Sequence, residues 1–197
     1  MRGFDLRVEP GELVAVRGPS GSGKSTMLLL AAGLEEPSAG DVRAFGRSLA
    51  RLGEDELARY RATTTATVFQ SGNLWSALSA LENVQLSLRL AGGGSRETAV
   101  EALTTFGLEN RLDQRPAALS GGEQQRVAIA AAAARRAPLV LADEPTAELD
   151  EANEQIVLDA LALLSAEYAS TVVVVTHSSR VAESADRVVD VRDGRVA

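Results

Sequence analysis

The sequence predicts an α/β fold: a mostly parallel core sheet with an antiparallel β flap and an inserted α-helical subdomain. Three observations carry this. The continuous apolar runs Leu13-Val14-Ala15-Val16, Leu139-Val140-Leu141-Ala142 and Val172-Val173-Val174-Val175 read as strands buried on both faces. Two further segments, Phe4-Asp5-Leu6-Arg7-Val8 and Asp41 to Phe45, alternate apolar and polar residues, as half-exposed strands do. From Ser71 onward the pattern is helical, and no convincing strand returns until Leu139. The expected segments are 1–70, the first part of the core with its flap; 71–136, the helical subdomain; and 137–197, the second part of the core.

Each element has its own reason. Pro10-Gly11 turns the first alternating strand into the buried run at Leu13. The apolar stretch from Met27 to Ala32 reads as a helix closed by Gly33. Pro37-Ser38-Ala39-Gly40 is a turn, Glu54 to Arg61 a short polar helix, and Thr64 to Phe69 a Thr- and Val-rich strand ending at Gln70. Leu78 to Leu90 has helical spacing, with Leu81, Val84 and Leu88 on one face, and Gly92-Gly93-Gly94 breaks it. Ser95 opens a helix that aligns Ala99, Ala102, Leu103 and Phe106, and Gly107 ends it. The Ala-rich run Ala130 to Ala134 belongs to a helix that continues from Val127. Glu151 to Glu167 is amphipathic, with Val157, Leu161 and Leu164 inward, and Arg187 to Val191 is a last, shorter strand.

Composition narrows the function. A chain of 197 residues can bury a substantial core. Twenty Lys and Arg against twenty-seven Asp and Glu give a net charge of −7. A general nucleic-acid binder needs a basic face to displace counterions, so no nucleic acid is expected as a partner. There are no cysteines, hence no disulfide, thiolate metal site or cysteine nucleophile. The start, Met1-Arg2-Gly3-Phe4-Asp5, does not read as a signal peptide, and no apolar run is long enough to cross a bilayer. Membrane attachment is therefore expected to come from a partner.

The residues with chemistry follow the strands. Gly18-Pro19-Ser20-Gly21-Ser22-Gly23-Lys24-Ser25-Thr26 fits the phosphate-binding pattern G-x-x-x-x-G-K-[ST], between a buried strand and a helix as that pattern requires. Its backbone N–H groups and the helix end would cradle an anion; Lys24 would reach the β- and γ-phosphates of a nucleotide and Ser25 would ligate Mg²⁺. An ordinary Gly/Ser loop with a chance lysine lacks that flanking context. Asp143-Glu144 ends a buried strand; with a phosphate loop in the same chain, Asp143 fits the Mg²⁺ shell and Glu144 the attacking water, against a plain helix-capping role. His177, the one histidine, ends another core strand, where it can sense the γ-phosphate and hold Glu144; a lone histidine elsewhere would read as structural. Gln70 can contact Mg²⁺ or the water, or be an ordinary surface glutamine. Ser120-Gly121-Gly122-Glu123 opens a helix and forms a second anion-binding end, which is redundant unless it serves another subunit's nucleotide. Its simple alternative is a Ser N-cap with a Gly-rich turn.

Taken in order, Gly18 to Thr26, Gln70, Leu119-Ser120-Gly121-Gly122-Glu123-Gln124-Gln125-Arg126, Leu139 to Thr146, Leu149-Asp150 and His177 resemble the Walker A, Q-loop, signature, Walker B, D-loop and switch histidine of an ABC-type ATPase. The resemblance covers nearly the whole chain. Within that superfamily Glu54-Asp55-Glu56-Leu57-Ala58, Val68-Phe69-Gln70, Ala80-Leu81-Glu82-Asn83-Val84 and Leu141-Ala142-Asp143-Glu144-Pro145-Thr146 look like the lipoprotein-releasing and macrolide-export branch.

The resemblance implies a P-loop NTPase fold with a RecA-like core sheet and a head-to-tail dimer of two ATPase subunits. Each ATP would lie between one subunit's phosphate loop and the signature residues Ser120, Gly121, Gly122 and Glu123 of the other, with Asp150 at the interface. Integral membrane permease subunits would be the partners, placing the chain on the cytoplasmic face of the membrane. A non-transport ABC-type ATPase and a weakly hydrolysing nucleotide sensor are the alternative functions. The chain departs from the pattern in three ways. Relatives carry an aromatic upstream of the phosphate loop that stacks on adenine, whereas Phe4 falls in the following strand, so either the start is truncated or adenine is held more loosely. Stacking of this kind is worth about 1–3 kcal/mol, roughly tenfold or more in Kd. Ala131 and Ala133 stand where relatives usually have Arg and Leu. Gly72 and Trp75 stand where the branch usually has Phe and Leu, which makes Trp75 either a permease contact or a partly buried subdomain residue.

Overall fold

The structure, a computed structural model, describes residues 3–196. Met1, Arg2 and Ala197, at the ends of the first and last expected segments, lie outside them. In chain order the elements are β1 (Leu13–Arg17), α1 (Lys24–Ala31), β2 (Arg43–Ala44), β3 (Arg47–Ser48), α2 (Glu54–Thr63), β4 (Thr65–Val68), α3 (Ala80–Leu90), α4 (Arg96–Thr105), α5 (Gly121–Ala134), β5 (Leu139–Asp143), α6 (Glu151–Tyr168), β6 (Thr171–Thr176), α7 (Ser179–Ser184), β7 (Arg187–Arg192) and β8 (Arg195–Val196).

Six strands form one sheet in the order β4-β5-β6-β1-β7-β8, parallel except for the final hairpin of β7 with β8. The three apolar runs of the sequence are its centre: Val14, Ala15, Val16, Val140, Leu141, Val172 and Val175 have no exposed surface. The valines and the leucine among them stabilise by about 1.5–3 kcal/mol each when fully buried. Register matters more than burial for the site. Arg17 lies beside Thr176, Asp143 beside Val175, and Val68 beside Ala142. The carboxyl ends of four adjacent parallel strands are thereby level, and the loops leaving them meet along one edge of the sheet. That edge is where open α/β sheets bind ligands.

The helical stretch of the sequence folds as α3, α4 and α5. Leu81, Val84, Leu88, Ala99, Ala102, Leu103 and Phe106 turn inward as their spacing requires, and they join Val68, Val140, Val172, Val157 and Leu161 in one continuous core. Ser79 and Ser95 cap α3 and α4, each accepting from the backbone N–H three residues on. The first helix, α1, ends against α2: the Tyr60 hydroxyl donates to the Ala31 carbonyl at 2.7 Å and Arg61 Nη1 to the Gly33 carbonyl at 2.8 Å. Burial pushes the Tyr60 hydroxyl up to about 12.

The flap is smaller than the alternation predicts. It is a hairpin of two residues per strand, turned by Phe45 and Gly46 with φ of 49° and 79°, the double left-handed geometry of a tight hairpin. Phe4 to Val8 pairs with no strand, contrary to expectation. Its alternation reflects half-burial instead: Phe4, Leu6 and Val8 pack on the cluster of Val14, Met27, Leu28 and Val173 while Asp5 and Arg7 face out. Period-two hydrophobicity reports a buried face and is silent on hydrogen-bonding partners. Three elements lacked a sequence signal: β3, two polar residues after Gly46; α7, six residues without apolar periodicity; and β8, reached through a turn at Asp193-Gly194.

Candidate active site

The loop from Gly18 to Gly23 joins the end of β1 to the start of α1, as its sequence requires. Gly18 approaches β7 so closely that a Cβ there would run into the Val191 carbonyl. Gly23 is the left-handed N-cap of α1, with φ 96° and no side-chain cap, so the first N–H groups of the helix point into the loop. Lys24 is nearly buried and its Nζ donates to the carbonyls of Gly18 at 2.8 Å and Pro19 at 3.0 Å. The hydroxyl of Ser22 is buried without a partner. Pro19, Ser20, Gly21, Ser25 and Thr26 are exposed around this cradle. An inward amine, an orphaned hydroxyl and free helix N–H groups are what a phosphate chain would satisfy.

At the end of β5, Asp143 and Glu144 are half-buried. Glu144 adopts φ 47°, a left-handed conformation uncommon for a residue with a side chain, and its N–H donates to the Val175 carbonyl at 2.9 Å. The turn aims its carboxylate at the end of β6. There Oε2 takes the His177 backbone N–H at 3.3 Å and lies 2.9 Å from His177 Nδ1. A carboxylate can only accept, so Nδ1 carries the proton. The imidazole is otherwise open, 71% exposed against 20% for the Glu144 side chain. The structure thus brings together the two residues that sequence reasoning had joined only by function.

Gln70 leaves β4 on the same edge, exposed, and its Nε2 donates to Glu148 Oε1 at 2.9 Å. Its backbone is held by a residue to which the sequence reading assigned no role. Gln125, buried in α5, donates Nε2 to the carbonyls of Phe69 at 2.9 Å and Gln70 at 2.7 Å and accepts from Asn73 Nδ2 at 3.0 Å. A second unforeseen amide, Asn83, ties the Trp75 and Leu78 backbone to α3. Buried amides have no periodic signature, so only position within the Leu119 to Arg126 stretch could have marked Gln125. Trp75 is 68% exposed, which removes the partly buried alternative.

Ser120 is the N-cap of α5 in a reciprocal capping box: its Oγ accepts the Glu123 N–H at 3.2 Å and its N–H donates to Glu123 Oε2 at 2.8 Å. Arg111 Nε pairs with the other oxygen of Glu123 at 2.7 Å. The backbone N–H of Ser120, helped by Arg111, holds the Glu123 carboxyl below the usual range against the opposing effect of burial. Both oxygens of Glu123 are therefore engaged within the chain. The glycines of this helix start pack on Leu149 and α6. A Cβ on Gly121 would lie 3.3 Å from Leu149 Cδ2, and one on Gly122 would lie 2.9 Å from Asn153 Oδ1. Asn153 in turn binds Asp150, the exposed N-cap of α6, through its backbone N–H at 2.8 Å and its amide at 2.9 and 3.0 Å. These contacts, the backbone one first, hold the Asp150 carboxyl below its usual range.

Ser25, Gln70 and Asp143 are a sparse donor set, and no group of three or more His, Cys, Asp or Glu placed for a metal occurs among the described residues. Such a set suits Mg²⁺ carried in with phosphates, which keeps waters and takes few protein ligands.

Residues 1–147 match the family described as ABC transporter. The chain is similar to the lipoprotein-releasing system ATP-binding protein LolD 2 of Caulobacter vibrioides, 47% identical over all of this chain and 87% of the relative. It is also similar to the macrolide export ATP-binding/permease protein MacB of Marinobacter nauticus, 44% identical over all of this chain, which spans 31% of that relative's length. Among solved structures, a dimeric post-hydrolysis state of the ATP-binding cassette MJ0796 bound to ADP and Pi superposes with a TM-score of 0.88. It is 41% identical over 98% of this chain and 86% of that one. With its phosphate loop, paired Glu144 and His177 and capped Ser120 helix disposed on such a sheet, the chain belongs to the ABC transporter family, as an ATP-binding subunit of the LolD and MacB type.

Proposed function

We propose that two copies of this chain, facing opposite ways, hydrolyse ATP and power separate integral membrane permease subunits. Each nucleotide would lie between Gly18 to Thr26 of one copy and Ser120, Gly121 and Gly122 of the other. The observation that carries this is what holds each of the two anion-binding ends. Glu144 and His177 pair at the strand ends that also bear the phosphate loop, whereas the start of α5 packs on Leu149 and Asn153. The anion-binding helix end is thus held by Leu149 and Asn153 rather than by the chain's own phosphate loop, as a half-site for a partner would be.

In this reading Lys24 leaves the Gly18 and Pro19 carbonyls for the β- and γ-phosphates. Glu144 accepts the proton of the attacking water; such base catalysis is worth about 10²- to 10⁴-fold. Its Oε2 is already aligned by His177, and Oε1 takes no hydrogen bond among the described residues. Mg²⁺, when bound, would neutralise phosphate charge, with Ser25, Asp143 and Gln70 holding it. Asp150 orders the facing surface through Asn153. The expected segmentation places α3, α4 and α5 in a subdomain that carries closure of the dimer to the permeases, with Trp75 on its exposed surface. Attachment to the cytoplasmic face of the membrane would come through those permeases; no described helix is long and apolar enough to cross a bilayer. Export, or extraction of lipoproteins or other lipid-linked cargo, is the work that relatives named for lipoprotein release and macrolide export suggest.

The test is Glu144→Gln. It should bind ATP, turn over at least 100-fold more slowly, and run as an ATP-dependent dimer on size exclusion. A monomer under saturating ATP would overturn the two-copy site.

A further inference from the structure

Glu154 is a nearly buried carboxylate with no part in the chemistry above. Its side chain is 14% exposed, and it stands in the first turn of α6, where the helix end favours negative charge. Two separate segments reach it. Oε1 accepts from Ser178 Oγ at 2.8 Å and, at 3.4 Å, from Thr146 Oγ1; Oε2 faces Arg180 Nη1 at 3.8 Å. Thr146 lies two residues after Glu144, in the turn that aims that carboxylate. Ser178 follows His177 directly, and Arg180 lies in α7, which continues the same loop.

The His177 ring is mostly exposed and meets Glu144 on one side only. Packing of the ring therefore does little to place it, and its backbone must be held from below. Ser178 provides that hold twice, through its N–H to Thr176 Oγ1 at 2.9 Å and its hydroxyl to Glu154. The neighbouring residue on α6 is Asn153, which packs on Gly122. One helical turn thus touches the start of α5 on one side and the loop of His177 on the other.

We propose that Glu154 is a positioning residue for hydrolysis: it ties the loop of His177 to the turn of Glu144, so that the imidazole stays on the carboxylate. This rests on the roles given above to Glu144 and His177. Glu154 touches no reacting atom and acts through Ser178. Because its close contacts are two hydroxyl donors, a neutral amide oxygen at the same place would serve them equally well. Alanine would leave Ser178 free and the loop unanchored.

Steady-state ATP hydrolysis by the purified chain tests this. Glu154→Ala should lower kcat about tenfold or more with KM for ATP within about twofold, the pattern of a misplaced group rather than of lost binding. Glu154→Gln should stay within about twofold of the parent kcat. Ser178→Ala, which removes the closest donor and leaves α6 intact, should lower kcat in the same sense and keeps the test open if Glu154→Ala does not fold. In a His177→Ala background, Glu154→Ala should have no further effect on kcat, because the placement it secures is already lost. Full turnover by Glu154→Ala or Ser178→Ala, or a loss that adds to that of His177→Ala, would overturn the positioning role. Full turnover by His177→Ala alone would instead refute the parent reading, so the two failures are distinguishable.

Discussion

Gln125 carries the loop of Gln70 on a single side-chain amide, and its position is almost wholly enclosed. Truncation would leave part-buried carbonyls of Phe69 and Gln70 without their donor. Gln125→Ala should therefore cost about 1–3 kcal/mol in equilibrium denaturation, whereas Gln70→Ala, which removes an exposed side chain bonded to Glu148 and keeps the backbone carbonyl, should change stability by less than about 0.5 kcal/mol. A comparable loss in both would show that Gln125 does not anchor the loop. The contrast also marks how far single residues are legible. Gly18 to Thr26, Glu144 and His177 announce themselves because phosphate and proton chemistry demand particular residue types at fixed spacings. Gln125, Asn153 and Glu154 act through partners brought near by the fold, and Glu154 meets Ser178 across 24 residues. No local pattern encodes such a meeting.

At the scale of elements, α5 is the most informative. Its start is both a reciprocal capping box and the anion-binding end assigned to a partner's nucleotide. Ser120→Ala removes one capping acceptor and should destabilise the chain by about 1 kcal/mol. Ser120→Arg should leave ATP binding by the single copy intact and stop hydrolysis; normal turnover there would show that this helix end meets no nucleotide. The capping box also sets an acid response. Glu123 has its carboxyl depressed by the Ser120 N–H and Arg111. Its contribution is therefore complete above the usual carboxylate range and lost as pH falls through the lowered folded value. Glu123→Gln should flatten the fall of thermal stability with acid, and an unchanged slope would locate that response elsewhere. Helices α3, α4 and α6 were legible to within a residue or two because their apolar spacing coincides with burial. The Phe4 to Val8 segment was misread for the converse reason, since burial of alternate residues does not require a neighbouring strand.

Over the whole molecule, the helices between β4 and β5 share one apolar core with the sheet. Leu103 and Leu108 belong to the same cluster as Val68, Val140 and Val172. Calorimetry should then show a single cooperative transition for the full chain. Leu103→Ala should lower its stability by about 2–5 kcal/mol without splitting it. Two resolved transitions would mean that the helical part melts as its own unit. The global plan was legible because three apolar runs and one long helical interval leave few ways to arrange an α/β sheet. The strand order β4-β5-β6-β1-β7-β8 was not, since pairing between distant segments leaves no trace in local periodicity. That order levels the ends of β4, β5, β6 and β1, and so gathers residues from 18 to 177 on a single edge.

The meeting of Gly18 with the Val191 carbonyl bears on how variants at this loop should be interpreted. Any side chain at position 18 would press β1 away from β7, so the injury reaches into the sheet as well as the loop. A variant at position 18 that no longer binds nucleotide would therefore report a sprung joint between two strands as well as an altered cradle.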